Sequence, residues 1–133
     1  MLESLLGTLA RLTRSPIRVS AESLPMRKVV VRALLFCESG QWCAQCLDFD
    51  IAVQASTREQ LLTELESVLI THVEIAIDCG HEPFAGLPRA PDRFFEFFAR
   101  SRPVPSGKPI RMINREEAPS IIPELRFLQP VSV

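Results

Sequence analysis

WCAQCLDFDIAVQAST, residues 42–57, decides the fold. Its opening pentapeptide, Trp42-Cys43-Ala44-Gln45-Cys46, has the W-C-x-x-C spacing of a dithiol redox centre. Such a centre places its first cysteine at a helix N-terminus, where the helix dipole favours the thiolate and a tight turn brings the sulfurs together. The residues after Cys46 show no helical stripe. They alternate, carry β-branched side chains, and run into Ser56-Thr57-Arg58-Glu59, a capping box that opens the next helix. The pentapeptide therefore reads as a strand, which splays the two thiols to opposite faces. Three steps of ~3.3 Å also separate their Cα atoms by ~10 Å, whereas a disulfide requires less than ~7 Å. A zinc knuckle would need a second ligand pair, and Cys37, Cys79 and His81 do not form one. A thiol–disulfide oxidoreductase using Cys43 and Cys46 is the main rival to a non-catalytic reading.

Outward from this stretch, KVVVRALLFC (28–37) is apolar and β-branched and reads as the first strand. ESGQ (38–41) supplies the turn, with Gly40 free to take positive φ. WCAQCL (42–47) is the second strand, DFD (48–50) a reversal, and IAVQA (51–55) the third. Leu61, Leu62, Leu65, Val68, Leu69, Val73 and Ala76 then mark a long amphipathic helix over about 57–78. Gly80 is placed at its C′ position, and Pro83 forbids continuation. After a loop (82–91), Pro91 at N1 opens a short aromatic helix, DRFFEFFARS (92–101). The expected fold is α+β: a three-stranded antiparallel β-β-β-α sheet packed on one long helix, plus the short aromatic helix. PIRMI (109–113) or LRFLQ (125–129) could add a fourth strand.

At 133 residues the chain has room for one domain. Leu2, Leu5, Leu6, Leu9 and Leu12 suggest an amphipathic helix within an N-terminal extension, residues 1–25. The α+β domain is expected over 26–101. Six prolines between 103 and 130 mark 102–133 as a Pro-rich tail, unsuited to a regular helix or a central strand. No apolar run approaches the ~20 residues of a membrane span, and no basic leader precedes the first apolar stretch, so a cytoplasmic location is expected. The net charge of −1 is unevenly spread. Residues 29–85 hold nine acids against two bases, whereas 86–115 hold seven bases against two acids.

Gly40, Trp42, Ala44, Asp48, Thr57, Glu59 and the helix from Leu61 to Ala76 together resemble the HicB-like antitoxin family. The resemblance covers roughly residues 28–80. It implies a partial RNase H-like β-β-β-α unit without nuclease activity that self-associates as a dimer or higher oligomer and masks a small HicA-type mRNA interferase. DNA binding is not expected, because the prolines of 102–133 exclude the C-terminal DNA-binding helix pair of that family. The chain thus resembles an antitoxin of a type II toxin–antitoxin system, or a stand-alone relative.

No catalytic, cofactor-binding or metal-binding residue is expected. Asp48 and Asp50 could pair on Mg²⁺, but two aspartates flanking one phenylalanine read better as turn formers. His72 and His81 have no serine or cysteine partner of triad type. Partner recognition is expected at Trp42 and Asp48 on the strands and at Glu59, Glu66 and Glu74 on the helix, which complement a basic partner. A third reading is RNA binding by the basic 89–115 segment, with Phe94, Phe95, Phe97 and Phe98 as a stacking platform.

Overall fold

The computed structural model describes residues 27–105, 108–112 and 115–129. The helix expected near the N-terminus lies outside them. The described elements are β1 (Lys28–Glu38), β2 (Gln41–Cys46), β3 (Ala52–Ala55), α1 (Arg58–Asp78), α2 (Asp92–Ala99), β4 (Arg102–Pro103) and β5 (Ser120–Phe127). They form one α+β unit around a five-stranded mixed sheet of order β3-β2-β1-β5-β4.

Three local signals set the first half. Ser39 and Gly40 both take positive φ (53° and 78°), the signature of a type I′ turn. That turn closes β1 on β2 in the register Glu38↔Gln41 through Ala33↔Cys46. β3 returns beside β2, with Ala44 opposite Val53. α1 starts one residue later than the capping box suggested: Thr57, not Ser56, caps it, accepting from the Gln60 N–H at 3.1 Å. Its C-terminus is a Schellman motif. Gly80 (φ 75°) donates to the Ile77 carbonyl and His81 to that of Ala76.

Alternation along the strands assigns two faces. Ala33 and Leu35 of β1, Ala44 and Cys46 of β2, and Ile121 and Leu125 of β5 meet Leu61, Leu65, Leu69 and Val73 of α1 in the main core. Phe49 and Phe84 stack at 4.1 Å within this core. The other face buries Leu34 and Leu47 against Phe98 of α2, with Phe36, Phe94, Phe95 and Phe97 half-buried around them. α2 ends at Ala99, and Pro91 is its N-cap rather than its first helical residue.

The expected three-stranded antiparallel sheet is incomplete. The stretch expected as a tail supplies β4 and β5, and β5 runs parallel to β1 from Lys28↔Ser120 to Leu35↔Phe127. Proline does not prevent this, because of which way Pro123 faces. Ile121 exchanges both backbone bonds with Ile110 (2.9 and 2.8 Å), so it faces away from β1. By the same alternation Pro123 faces away from β1 too. There it meets neither the bridge at Ile121 nor β4, which pairs only with Arg126 and Phe127. The missing N–H removes no ladder bond. Of the two candidates for an added strand, 125–129 overlaps β5, while 109–113 contributes the single bridge at Ile110.

Candidate functional site

The cysteine pair lies in extended chain. Cys46 is wholly buried in the α1-side core, and Cys43 points to the opposite face, where the Gln54 amide donates to its sulfur at 3.7 Å. All four cysteines are free thiols, with Cys37 and Cys79 exposed. Burial pushes the Cys46 thiol up to about 12 and raises that of Cys43 as well. This is opposite to the shift that creates a reactive thiolate. Closing a 43–46 disulfide would require β2 to come apart. Among the described residues no cluster of three or more His, Cys, Asp or Glu side chains could hold a metal ion, and no helix is long and apolar enough to cross a membrane.

Asp48 and Asp50 do not form a carboxylate pair. Asp48 accepts two hydrogen bonds from Arg32, at 2.7 and 3.2 Å, and that guanidinium holds its carboxyl below the usual range. Asp50 accepts from the Gln45 amide at 2.8 Å, which anchors the reversal between β2 and β3. Each aspartate therefore has a partner within the hairpin region.

The basic segment is also engaged internally. Arg93 lies over Phe94, Arg89 and Arg32 over Phe95, Arg100 over Phe97, and Arg32 and Arg126 over Phe98, with centroid distances of 4.2–5.7 Å. These cation–π contacts use ring faces on which a base would stack.

α1 carries the remaining candidates. Glu59 and Glu66, seven residues apart, are exposed on one flank of the helix. Glu66 stands at the lip of a groove of about 350 Å³ floored by Leu62, Leu65, Leu69 and Leu125. The opposite wall is residues 108–111, which bring Lys108 and Arg111 to the other lip. Farther along α1, Arg115 forms an ion pair with Asp78 at 2.9 Å and also feels the half-buried Glu74. The acidic helix and the basic segment are therefore already neighbours within the chain. Trp42 belongs to the packing, half-buried against the α1-side core with its ring 5.8 Å from Phe127. Asp48 is paired with Arg32, whose guanidinium lies over Phe95 and Phe98 on the α2 side of the sheet. Of the five expected recognition residues, Glu59 and Glu66 share one flank, Glu74 lies within electrostatic reach of Arg115, and Trp42 and Asp48 lie elsewhere.

The sequence marks 109–113 as a candidate strand, but not the place of 108–111 as the wall of this groove. Its only signal is the basic–apolar alternation KPIRM, which the neighbouring prolines obscured.

Neither protein-family models, curated proteins nor solved structures include a match to this chain.

Proposed function

We propose that this chain is a non-catalytic protein-binding module of the HicB antitoxin type, or a stand-alone relative, which sequesters a small basic protein such as a HicA-type mRNA interferase. The observation that carries this reading is the coincidence of the apolar groove with the acidic flank of α1. Leu62, Leu65 and Leu69 offer an anchor site for an apolar side chain, the carboxylate of Glu66 stands at its lip, and the exposed Glu59 lies about two turns before Glu66 on the same flank of the helix. Recognition of this kind takes its affinity from the buried anchor and its orientation and on-rate from the charges. Sequestration needs no bond chemistry, in keeping with buried thiols of raised pKa and aspartates committed to Arg32 and Gln45.

Co-production with a HicA-type interferase encoded beside this chain tests the reading. Wild-type chain restores growth and is captured with the toxin. The Glu59→Lys, Glu66→Lys double variant, altered only at exposed positions, loses at least tenfold in capture, and added salt weakens the wild-type complex. Undiminished rescue by the double variant, or no rescue by the wild type, overturns the proposal.

A further inference from the structure

The groove beside α1 has lips of opposite sign. Glu66 stands on the helix side, Lys108 and Arg111 stand on the other, and all three are exposed. None of them takes part in an ion pair among the described residues, where the pairs formed are Arg27–Glu82, Arg32–Asp48 and Arg115–Asp78. The charges therefore do not meet across the groove, and the floor between them is apolar.

This polarity limits what can dock. A uniformly basic segment satisfies Glu66 but sets like charge against Lys108 and Arg111. A wholly apolar segment uses the floor and neither lip. The complement is an apolar anchor with a carboxylate toward residues 108–111 and a cation toward α1.

Two features favour a chain end as the source of that carboxylate. The first is size. At about 350 Å³ the groove lies at the low end of ligand sites, which span ~300–1,000 Å³. It takes one or two side chains rather than a whole helix face. The second is geometry. In an extended segment neighbouring side chains point to opposite sides, and the next one on the anchor's side stands ~6.6 Å along the chain. An internal Asp or Glu is thus kept away from an apolar anchor on the same side. A C-terminal residue instead carries its carboxylate on the very Cα that bears the anchor. The Arg111 guanidinium matches that planar group with two parallel hydrogen bonds, and Lys108 adds a point charge.

We infer that the groove captures the C-terminus of a partner chain. The apolar last residue lies on Leu62, Leu65 and Leu69, its carboxylate goes to Lys108 and Arg111, and a basic residue just upstream faces Glu66. Capture of a terminal carboxylate is a recurring mode of peptide recognition, commonly through backbone N–H groups. Side chains do it here, because Pro109 has no N–H and that of Ile110 is bonded to the Ile121 carbonyl at 2.8 Å. The inference rests on this groove being the docking surface proposed above, and it names the chemistry of what enters.

Fluorescence polarisation on the full chain tests it. The probes are N-terminally labelled pentapeptides ending in Leu, Phe or Val, with Lys at one of the preceding positions, each made as free acid and as C-terminal amide. The best free acid binds saturably and about tenfold more tightly than its amide. Serine in place of its last residue abolishes binding. The Lys108→Glu, Arg111→Glu double variant, altered only at exposed positions, binds the acid no better than the amide. Amide chemical shifts place the peptide at residues 62–69 and 108–111. The acid–amide comparison on the wild type needs no variant to fold. Absence of binding by every free acid overturns the inference. So does equal affinity for acid and amide, an acid preference that survives the double reversal, or shifts confined to another surface. Toxin capture that Glu66→Lys weakens and the Lys108, Arg111 reversal leaves intact upholds sequestration and refutes chain-end recognition. Acid-selective peptide binding without toxin capture does the converse.

Discussion

Burial sorts the four thiols into two classes. Cys37 and Cys79 are open to solvent, whereas Cys43 is 5% exposed and Cys46 wholly buried. Alkylation of the native protein at mildly alkaline pH is expected to label Cys37 and Cys79 quickly and Cys46 only on unfolding, as read by peptide mass spectrometry. Rapid native labelling of Cys46 would contradict its place in the core. The Arg32–Asp48 pair makes a second test. Its side chains are about two-fifths exposed, so the ion pair itself contributes at most about 1 kcal/mol. The Asp48 carboxyl titrates below its ordinary 3.8 in the folded chain. Its contribution is therefore fully present above pH 3.8 and is lost as the pH falls through the lower folded value. Asp48→Asn is expected to lower stability by under about 1 kcal/mol near neutral pH, with the gap closing in acid. Arg32→Ala costs more and keeps a deficit in acid, because that guanidinium also covers the Phe95 and Phe98 rings. Urea titrations at several pH values read both effects.

Turns and caps govern the elements. Both central residues of the β1–β2 turn have positive φ, yet the first is a serine. Asparagine accepts that conformation more readily, so Ser39→Asn is expected to raise stability by a few tenths to about 1 kcal/mol. At the end of α1, Gly80 sits at φ 75° with open space where a Cβ would be. Gly80→Ala thus meets no clash, only the left-handed backbone penalty, and is expected to cost about 1–2 kcal/mol. Thermal melts of the two variants should move in opposite directions, and a matched shift would refute the turn geometry. These elements were legible in the sequence because their signals are local: a glycine two residues after a strand, a serine–threonine start, an apolar stripe. Trp42 carries a local signal of its own. It alternates with Ala44 and Cys46, and that spacing alone places it on the core side. Of β5 only the end at LRFLQ was legible as a candidate strand; its start at Ser120 and its parallel pairing with β1 were not, for two physical reasons. Its partner β1 lies far away in sequence, so no turn announces the pairing. The proline inside it argues against a strand unless the unpaired side of residue 123 is known.

At the scale of the whole molecule, β5 changes what counts as the domain. Sequence composition suggests a self-sufficient unit over 26–101 with an appended tail. In the structure β1 has β2 on one side and β5 on the other, and Ile121 and Leu125 lie in the main core beside α1. Arg126 also reaches across the loop before β4: its Nε donates to the Ser101 hydroxyl at 2.8 Å and its terminal nitrogen to the Ser101 carbonyl. Removing residues beyond 101 would strip the ladder from one side of β1 and expose Val31, Leu35 and the floor of the groove. Losing even one large buried aliphatic side chain costs about 2–5 kcal/mol, and a domain of this size holds a net stability of only about 5–15 kcal/mol. Loss of Ile121 and Leu125 together with a whole strand is expected to exceed that margin. The fragment 26–101 should therefore lack a cooperative denaturant transition and dispersed amide resonances, whereas Leu125→Ala in the full chain, a single cavity, should keep both with a lowered midpoint. A cooperative transition in the fragment would show that β5 is an accessory to the sheet and would return the groove to the status of a surface between two independently stable parts.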